Sequence, residues 1–248
     1  MGHELYGGNR ISVIAPDGAA TTLAADAYEY RWVPLRAGEE VAVREPGSWT
    51  LYVLRLDPDS ILRAGELTLS LADTLQIEHA QATVRCERGA AVLLVSGVRG
   101  SVRGTQGVQH HPASSHYRVA KPWGHELWLN GEHPSYCLKE VFIRAGHRTS
   151  LQYHRLKRET NLLTRGRARL VYLATSSPLT DTVTAADLAA VDLDAVSTVD
   201  VTPMVLHRLE AVTDLYLYET STPHLDDVVR VQDDAGRGDG RIAGEHQR

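Results

Sequence analysis

Short runs rich in Val, Leu, Tyr and Thr, each bounded by Gly, Pro or Asp, recur along almost the whole chain. RISVIAP, YRWVPLRAG, SWTLYVLRL, GELTLSL, ATVRCERG and AAVLLVSG fill the first part. YCLKEVFIRAG, RARLVYL, STVDVTP, MVLHRLEAV and DLYLYET continue the style later on. Such runs read as strands, because β-branched and aromatic residues suit a pleated surface and the flanking residues turn the chain. Many short strands at close spacing leave a sandwich or a barrel as the solution, so an all-β fold with few short helices is expected. One segment, TAADLAAVDLDAV (184–196), predicts a helix, with Thr184 as its cap and Ala and Leu supplying propensity.

The strands come in two sets. WVPLRAGEEVAV (32–43) matches VFIRAGHRTSL (141–151) when Gly38 is laid on Gly146, an offset of 108 residues. VRCERGAAVLLV (84–95) echoes HRLEAVTDLYLY (207–218) at an offset of 123. The chain therefore reads as two copies of one β-domain, over about 1–100 and 118–232. Between them, the Gly-, Ser-, His- and Pro-rich stretch around 101–117 predicts a linker, and the polar, Gly-rich residues 233–248 predict a flexible tail.

At 248 residues the chain is long enough to bury a sizeable core. Its net charge of −5 gives no general attraction to nucleic acid or to an anionic membrane. Neither a long apolar run nor a secretory signal pattern is present, so a cytoplasmic protein with no membrane partner is expected. The two cysteines, Cys86 and Cys137, lie in apolar strand-like runs and are expected to be reduced core thiols.

The polar residues of GHRTSLQYHRLKRETNLLTRG (146–166) break this pattern. Gln152 and His154 are two apart, so on a strand they share a face. Glu159 follows after a turn, and His207 can arrive from a distant strand. One amide oxygen, two imidazoles and one carboxylate suit a divalent first-row metal such as Zn, Fe, Mn or Ni, with a position left for water or substrate. The alternative is a set of ordinary solvated polar residues, Glu159 pairing with Lys157 and Arg158. The repeat argues against it. At the offsets above, the first copy has Arg44, Pro46, Leu51 and Val84 at these positions, so the strand pattern persists and the polar groups are gone.

The spacing Gly146-x5-Gln152-x-His154-x4-Glu159-x6-Gly166 resembles the first motif of the cupin superfamily, with Gln in place of the first His. Within it, KPWG (121–124), SLQYH (150–154), HRL (207–209) and DDVVRVQDDAGR (226–237) resemble the cupin domain of type II mannose-6-phosphate isomerases. The resemblance covers about 118–237. It implies two tandem cupin (double-stranded β-helix, or jelly-roll) domains, the first a degenerate copy without ligands. It implies Gln152, His154, Glu159 and His207 as ligands to one divalent metal ion, Zn first among the candidates. It also implies Lys139, Arg230 and Arg237 as residues that bind an anionic group or assist proton transfer. The activity implied is isomerisation of a sugar or sugar phosphate through an enediolate, on a small anionic or polyhydroxylated substrate, in a chain able to form a homodimer. Thr160-Asn161 after the Glu, and Ala235 where the family has Tyr, depart from its pattern around the substrate. Other readings of the same fold are an Fe(II) dioxygenase, a dehydratase or cyclase, and a non-catalytic ligand-binding module. Trp123 of KPWG is expected in the core.

Overall fold

The computed structural model describes residues 2–4, 10–13, 21–25, 27–100, 106–173 and 183–246. The chain is all-β and divides into two compact units. One comprises 16–117 with 128–138; the other comprises 1–15, 118–127 and 139–248. Each unit is thus discontinuous along the sequence, where domains over 1–100 and 118–232 joined by a linker over 101–117 were expected.

The first unit has a six-stranded sheet ordered Gly107–His111, Thr74–Glu78, Gly47–Leu56, Ala90–Arg99, Tyr28–Arg36, Thr21–Ala25. Its four-stranded sheet runs Glu40–Val43, Ala82–Arg88, Ile61–Ala64, Leu67–Leu69. Alternation decides what each strand buries. Trp49, Leu51 and Val53 join Leu75 and Ile77 in one apolar core with Leu62, Val84 and Cys86 of the other sheet. The alternate residues Ser48, Thr50, Gln76 and Glu78 make a buried polar row, capped by His133 and Tyr136. The strand Gly107–His111 lies inside the expected linker; its apolar period is absent because it is an edge strand with exposed side chains.

The second unit pairs an eight-stranded sheet with a five-stranded one. The larger runs Gly2–Glu4, Arg10–Val13, Ser197–Val201, Glu159–Arg165, Leu215–Ser221, Cys137–Ile143, Gly124–Trp128, Tyr117–Lys121. The smaller runs Leu188–Asp194, Arg167–Leu173, His207–Ala211, Leu151–Tyr153, Val229–Gln232. Leu163, Leu217 and Val199 of the first meet Ala168, Leu170 and Leu209 of the second in one core, with Trp123 among them as expected. Both cysteines are buried and neither is in a disulfide.

The predicted helix is not formed. Residues 185–187 make a 3-10 turn and Leu188–Asp194 is a strand, paired residue for residue with Arg167–Leu173. Helix propensity is a weak prior, and seven backbone pairs along an open sheet edge outweigh it. The expected tail is also tied down: through His246 it is bonded to neighbouring loops and side chains, as detailed below.

The turns confirm the repeat and refine it. Gly38 and Gly146 both have positive φ, +89° and +75°, which glycine adopts at no steric cost. Gly38 N–H donates to Cys86 O and Gly146 N–H to Ala211 O. The second offset is therefore 125 rather than 123, and His207 falls on Ala82, still a non-ligand. The slip of two preserves strand facing, so it left no trace in the alternation.

Candidate metal centre

Three buried side chains converge in the second unit, with ligand atoms of His154, Glu159 and His207 all within 4.8 Å of one another. Glu159 opens the strand Glu159–Arg165 and faces inward with Asn161 and Leu163. His207 opens the strand His207–Ala211, in register with Gln152 on one side and Tyr172 on the other. His154 follows the short strand Leu151–Tyr153 and is 1% exposed. The sheets thus divide the interior into an apolar layer of Leu163, Leu209 and Leu217 and a polar layer that holds these groups.

The imidazoles are fixed by their other nitrogens. His154 Nδ1 contacts the Asp227 carbonyl, and His207 Nδ1 lies 2.9 Å from the Val205 carbonyl. Since a carbonyl only accepts, each Nδ1 carries a proton, and a ring protonated there alone presents a lone pair at Nε2. Those lone pairs face the same carboxylate: His154 Nε2 is 3.3 Å from Glu159 Oε2, and His207 Nε2 is 3.2 Å from Glu159 Oε1. With one proton per ring, acceptor would face acceptor, which is unfavourable in a buried site unless a metal ion or a second ring proton lies between them. His154 Nε2 is buried with no hydrogen-bond partner among the described residues. Two such nitrogens and a carboxylate fit a divalent first-row metal, and carbonyl bonds to the far nitrogens are the usual support for ligating histidines.

Gln152 stands beside the set, with its Oε1 accepting from the Ser150 hydroxyl at 2.6 Å, which leaves one lone pair on that oxygen. Asp227 organises the loop between the ligands. Its carboxylate accepts the backbone N–H groups of Arg155, Leu156 and Lys157, while its carbonyl orients His154. Burial would raise the Asp227 carboxyl, and the three N–H donors more than offset it, so it stays below the usual range.

A second feature was not read from the sequence. Lys157 Nζ sits 2.6 Å from Glu159 Oε2 and 2.7 Å from Glu219 Oε1. Ion pairs continue from there: Glu219 to Lys139 at 3.6 Å, Lys139 to Glu126 at 3.7 Å, Glu126 to Lys121 at 3.7 Å, and Lys121 to Glu245 at 2.9 Å. Each of these side chains is 14% exposed or less. Burial pushes the Glu159 and Glu219 carboxyls up, but the neighbouring lysines hold both below the usual carboxylate range. Burial also opposes the Lys157 ammonium, and the two carboxylates reverse that and raise it. The sequence does carry a signal for part of this: in LYLYETS the inward positions run Leu215, Leu217, Glu219, an acid where the alternation calls for an apolar residue.

The remaining expected residues are placed differently. Lys139 lies inside, between Glu219 and Glu126. Arg230 is next to Gln152 in register, but its Nη1 donates to the carbonyls of Gly238 and Gly240. Arg237 is held by Asp233 at 2.6 Å and by Glu245 at 3.3 Å. These two guanidiniums are engaged by the chain itself, whereas they were expected to face a substrate. His147 is exposed in the turn after Cys137–Ile143 and near the Ala145 carbonyl, outside the ligand layer.

No family model and no curated protein matches the chain. Solved structures do. An IolB-like protein from Salmonella typhimurium superposes with a TM-score of 0.63 at 12% identity, covering 95% of this chain and 97% of that one. An oxalate decarboxylase from Lactobacillus farciminis gives 0.58 at 8% identity over 86% and 80%. A salicylate 1,2-dioxygenase from Pseudoaminobacter salicylatoxidans gives 0.55 at 11% over 82% and 77%. The fold is the tandem jelly-roll arrangement of cupin proteins. No helix among the described residues is long and apolar enough to cross a membrane.

Proposed function

We propose that the protein is a divalent-metal-dependent enzyme that isomerises a sugar or sugar phosphate by moving a proton between adjacent carbons. The observation that carries the metal reading is the convergence of two buried Nε2 atoms on one carboxylate, with His154 Nε2 lacking a hydrogen-bond partner among the described residues. Gln152 in the place of a third histidine, beside His207, supports the isomerase branch. When bound, the metal supplies an electrophile for the carbonyl and hydroxyl oxygens of the substrate.

The chain provides the acid–base groups. Glu219 is a buried, ionised carboxylate one ion pair removed from Glu159, and it is placed to take up the carbon proton and return it to the neighbouring carbon. Lys139 stands 3.6 and 3.7 Å from its carboxylates, and its ammonium is the donor for the substrate oxygen on which charge develops. Lys157, gripped at 2.6 and 2.7 Å, positions Glu159.

Metal analysis of the purified protein beside His154→Ala tests the site: stoichiometric metal in the first and loss in the second is expected. Exchange of the C2 proton of aldose and ketose phosphates with solvent tests the reaction, and no exchange across such a panel refutes it. A second reading, an iron-dependent dioxygenase, is favoured by the structural likeness to salicylate 1,2-dioxygenase. Oxygen consumption with Fe²⁺ and an aromatic acid would select it.

A further inference from the structure

The chain's last described residues, 238–246, are held in an unusual way. None is buried as a whole residue, and the segment contains no strand. Its attachment is polar throughout. Asp239 accepts from Arg230 N–H at 2.7 Å, Gly240 N–H donates to Val228 O, and Arg241 pairs with Asp226. The exception to its exposure is the Glu245 side chain, 14% exposed, which enters the interior. Its two oxygens are divided between two cations: Oε2 is 2.9 Å from Lys121 Nζ and Oε1 is 3.3 Å from Arg237 Nη1. Those cations are 7% and 10% exposed.

A carboxylate bridging a buried ammonium and a guanidinium is the geometry in which proteins bind an acid group of a ligand. Here the acid belongs to a glycine-rich segment with no apolar anchor, the kind of segment that opens at low free-energy cost. Lys121 keeps Glu126 and Arg237 keeps Asp233 when Glu245 leaves, so replacing Glu245 with another anion exchanges like for like.

We propose that residues 238–246 are a displaceable strap, in which Glu245 occupies from within the chain an anion site made by Lys121 and Arg237. A small carboxylate or a phosphate ester takes the site by lifting the strap. The ion pairs running from Lys121 through Lys139 to Lys157 place this site in the same interior as the metal centre. The inference stands on the geometry of the strap and does not require the isomerase reading.

The test is a titration of the full-length, metal-loaded protein with inorganic phosphate and, separately, with succinate. If the strap is closed nine-tenths of the time, Glu245→Gln raises the affinity for at least one anion about tenfold, since apparent affinity scales with the open fraction. Adding Lys121→Gln to that variant abolishes the gain. A gain with phosphate alone assigns phosphate esters, and a gain with succinate alone assigns carboxylates. Hydrogen exchange of the unaltered protein provides a readout without any variant: saturating anion speeds exchange at Gly240 and Arg230, whose amides donate across the strap's edge to Val228 O and Asp239 Oδ1. Equal affinity in Glu245→Gln and the parent overturns the proposal. So does a gain that survives Lys121→Gln, which would locate the anion at the metal. Unchanged exchange under saturating anion overturns it as well.

Discussion

Removing the Lys157 ammonium tests the interior electrostatics most directly. Lys157→Met keeps the length of the side chain and deletes its charge. It leaves Glu159 and Glu219, both buried, without the cation that lies 2.6 and 2.7 Å from them. Breaking a buried ion pair by removing one partner costs about 3–5 kcal/mol. At about 2–4 °C per kcal/mol for a chain of this size, Tm should fall by roughly 6–20 °C at neutral pH in metal-free buffer. The pH dependence separates this cause from simple loss of packing. In the parent, both carboxyls are held below the usual range, so their contribution is fully present above about pH 4.5 and is lost as the pH falls through their folded values. In the variant Glu219 keeps Lys139 and Glu159 keeps its two imidazoles, but both lose the Lys157 charge and burial lifts them relative to the parent, so folding takes up more protons and the variant recovers stability on acidification. The Tm gap between parent and variant should therefore narrow markedly from about pH 7.5 to pH 5.5. Thermal unfolding with EDTA across that range measures it, and Lys157→Met/Glu219→Gln should recover part of the loss at neutral pH. A gap that is independent of pH would refute the electrostatic account.

Asp227→Ala removes the acceptor of three backbone N–H groups and loosens the loop that aims His154, so metal affinity measured by competition with a chelator should drop about 10–100-fold. Gly124→Ala would put a Cβ 1.9 Å from the Phe142 carbonyl oxygen; destabilisation of about 3 kcal/mol or more is expected in urea unfolding. Tyr136 is fully buried and bonded to Thr50, and burial pushes its hydroxyl up to about 12, so it should be the last tyrosine to ionise in an ultraviolet titration, with that late phase missing in Tyr136→Phe. Lys139→Gln should leave metal content intact while suppressing C2 proton exchange.

Much of this architecture was legible because alternation is a local property. Strands such as Gly47–Leu56 and Leu215–Ser221 bury every second residue in a core, and that can be read without knowing their partners. The ligand set was legible for the same reason plus one more: the first copy showed what the pattern looks like without it, Arg44, Pro46 and Leu51 against Gln152, His154 and Glu159. What failed was information held by partners. Leu188–Asp194 has helix-forming residues and becomes a strand because Arg167–Leu173 offers it an edge. Residues 234–246 have the composition of a tail and are held by Arg230, Lys121 and Asp226, which lie elsewhere in the sequence. Lys157 and Asp227 looked like surface charges because nothing near them in the chain announces Glu219 or the loop amides.

The pairing of Arg10–Val13 with Ser197–Val201 has a consequence for how the molecule can be divided. Cutting the chain after the first copy would not release a complete metal-binding half. The fragment would lack its outer hairpin, and Ser197–Val201 would present a bare row of amides and carbonyls, a template for pairing with another chain. The two copies resemble a tandem duplication in sequence, yet residues 1–15 belong to the metal-binding unit, so expression of residues 118–248 by themselves is expected to yield aggregates. During synthesis the first strands must wait for a partner that emerges about 190 residues later, a long-range closure of the kind that slows folding.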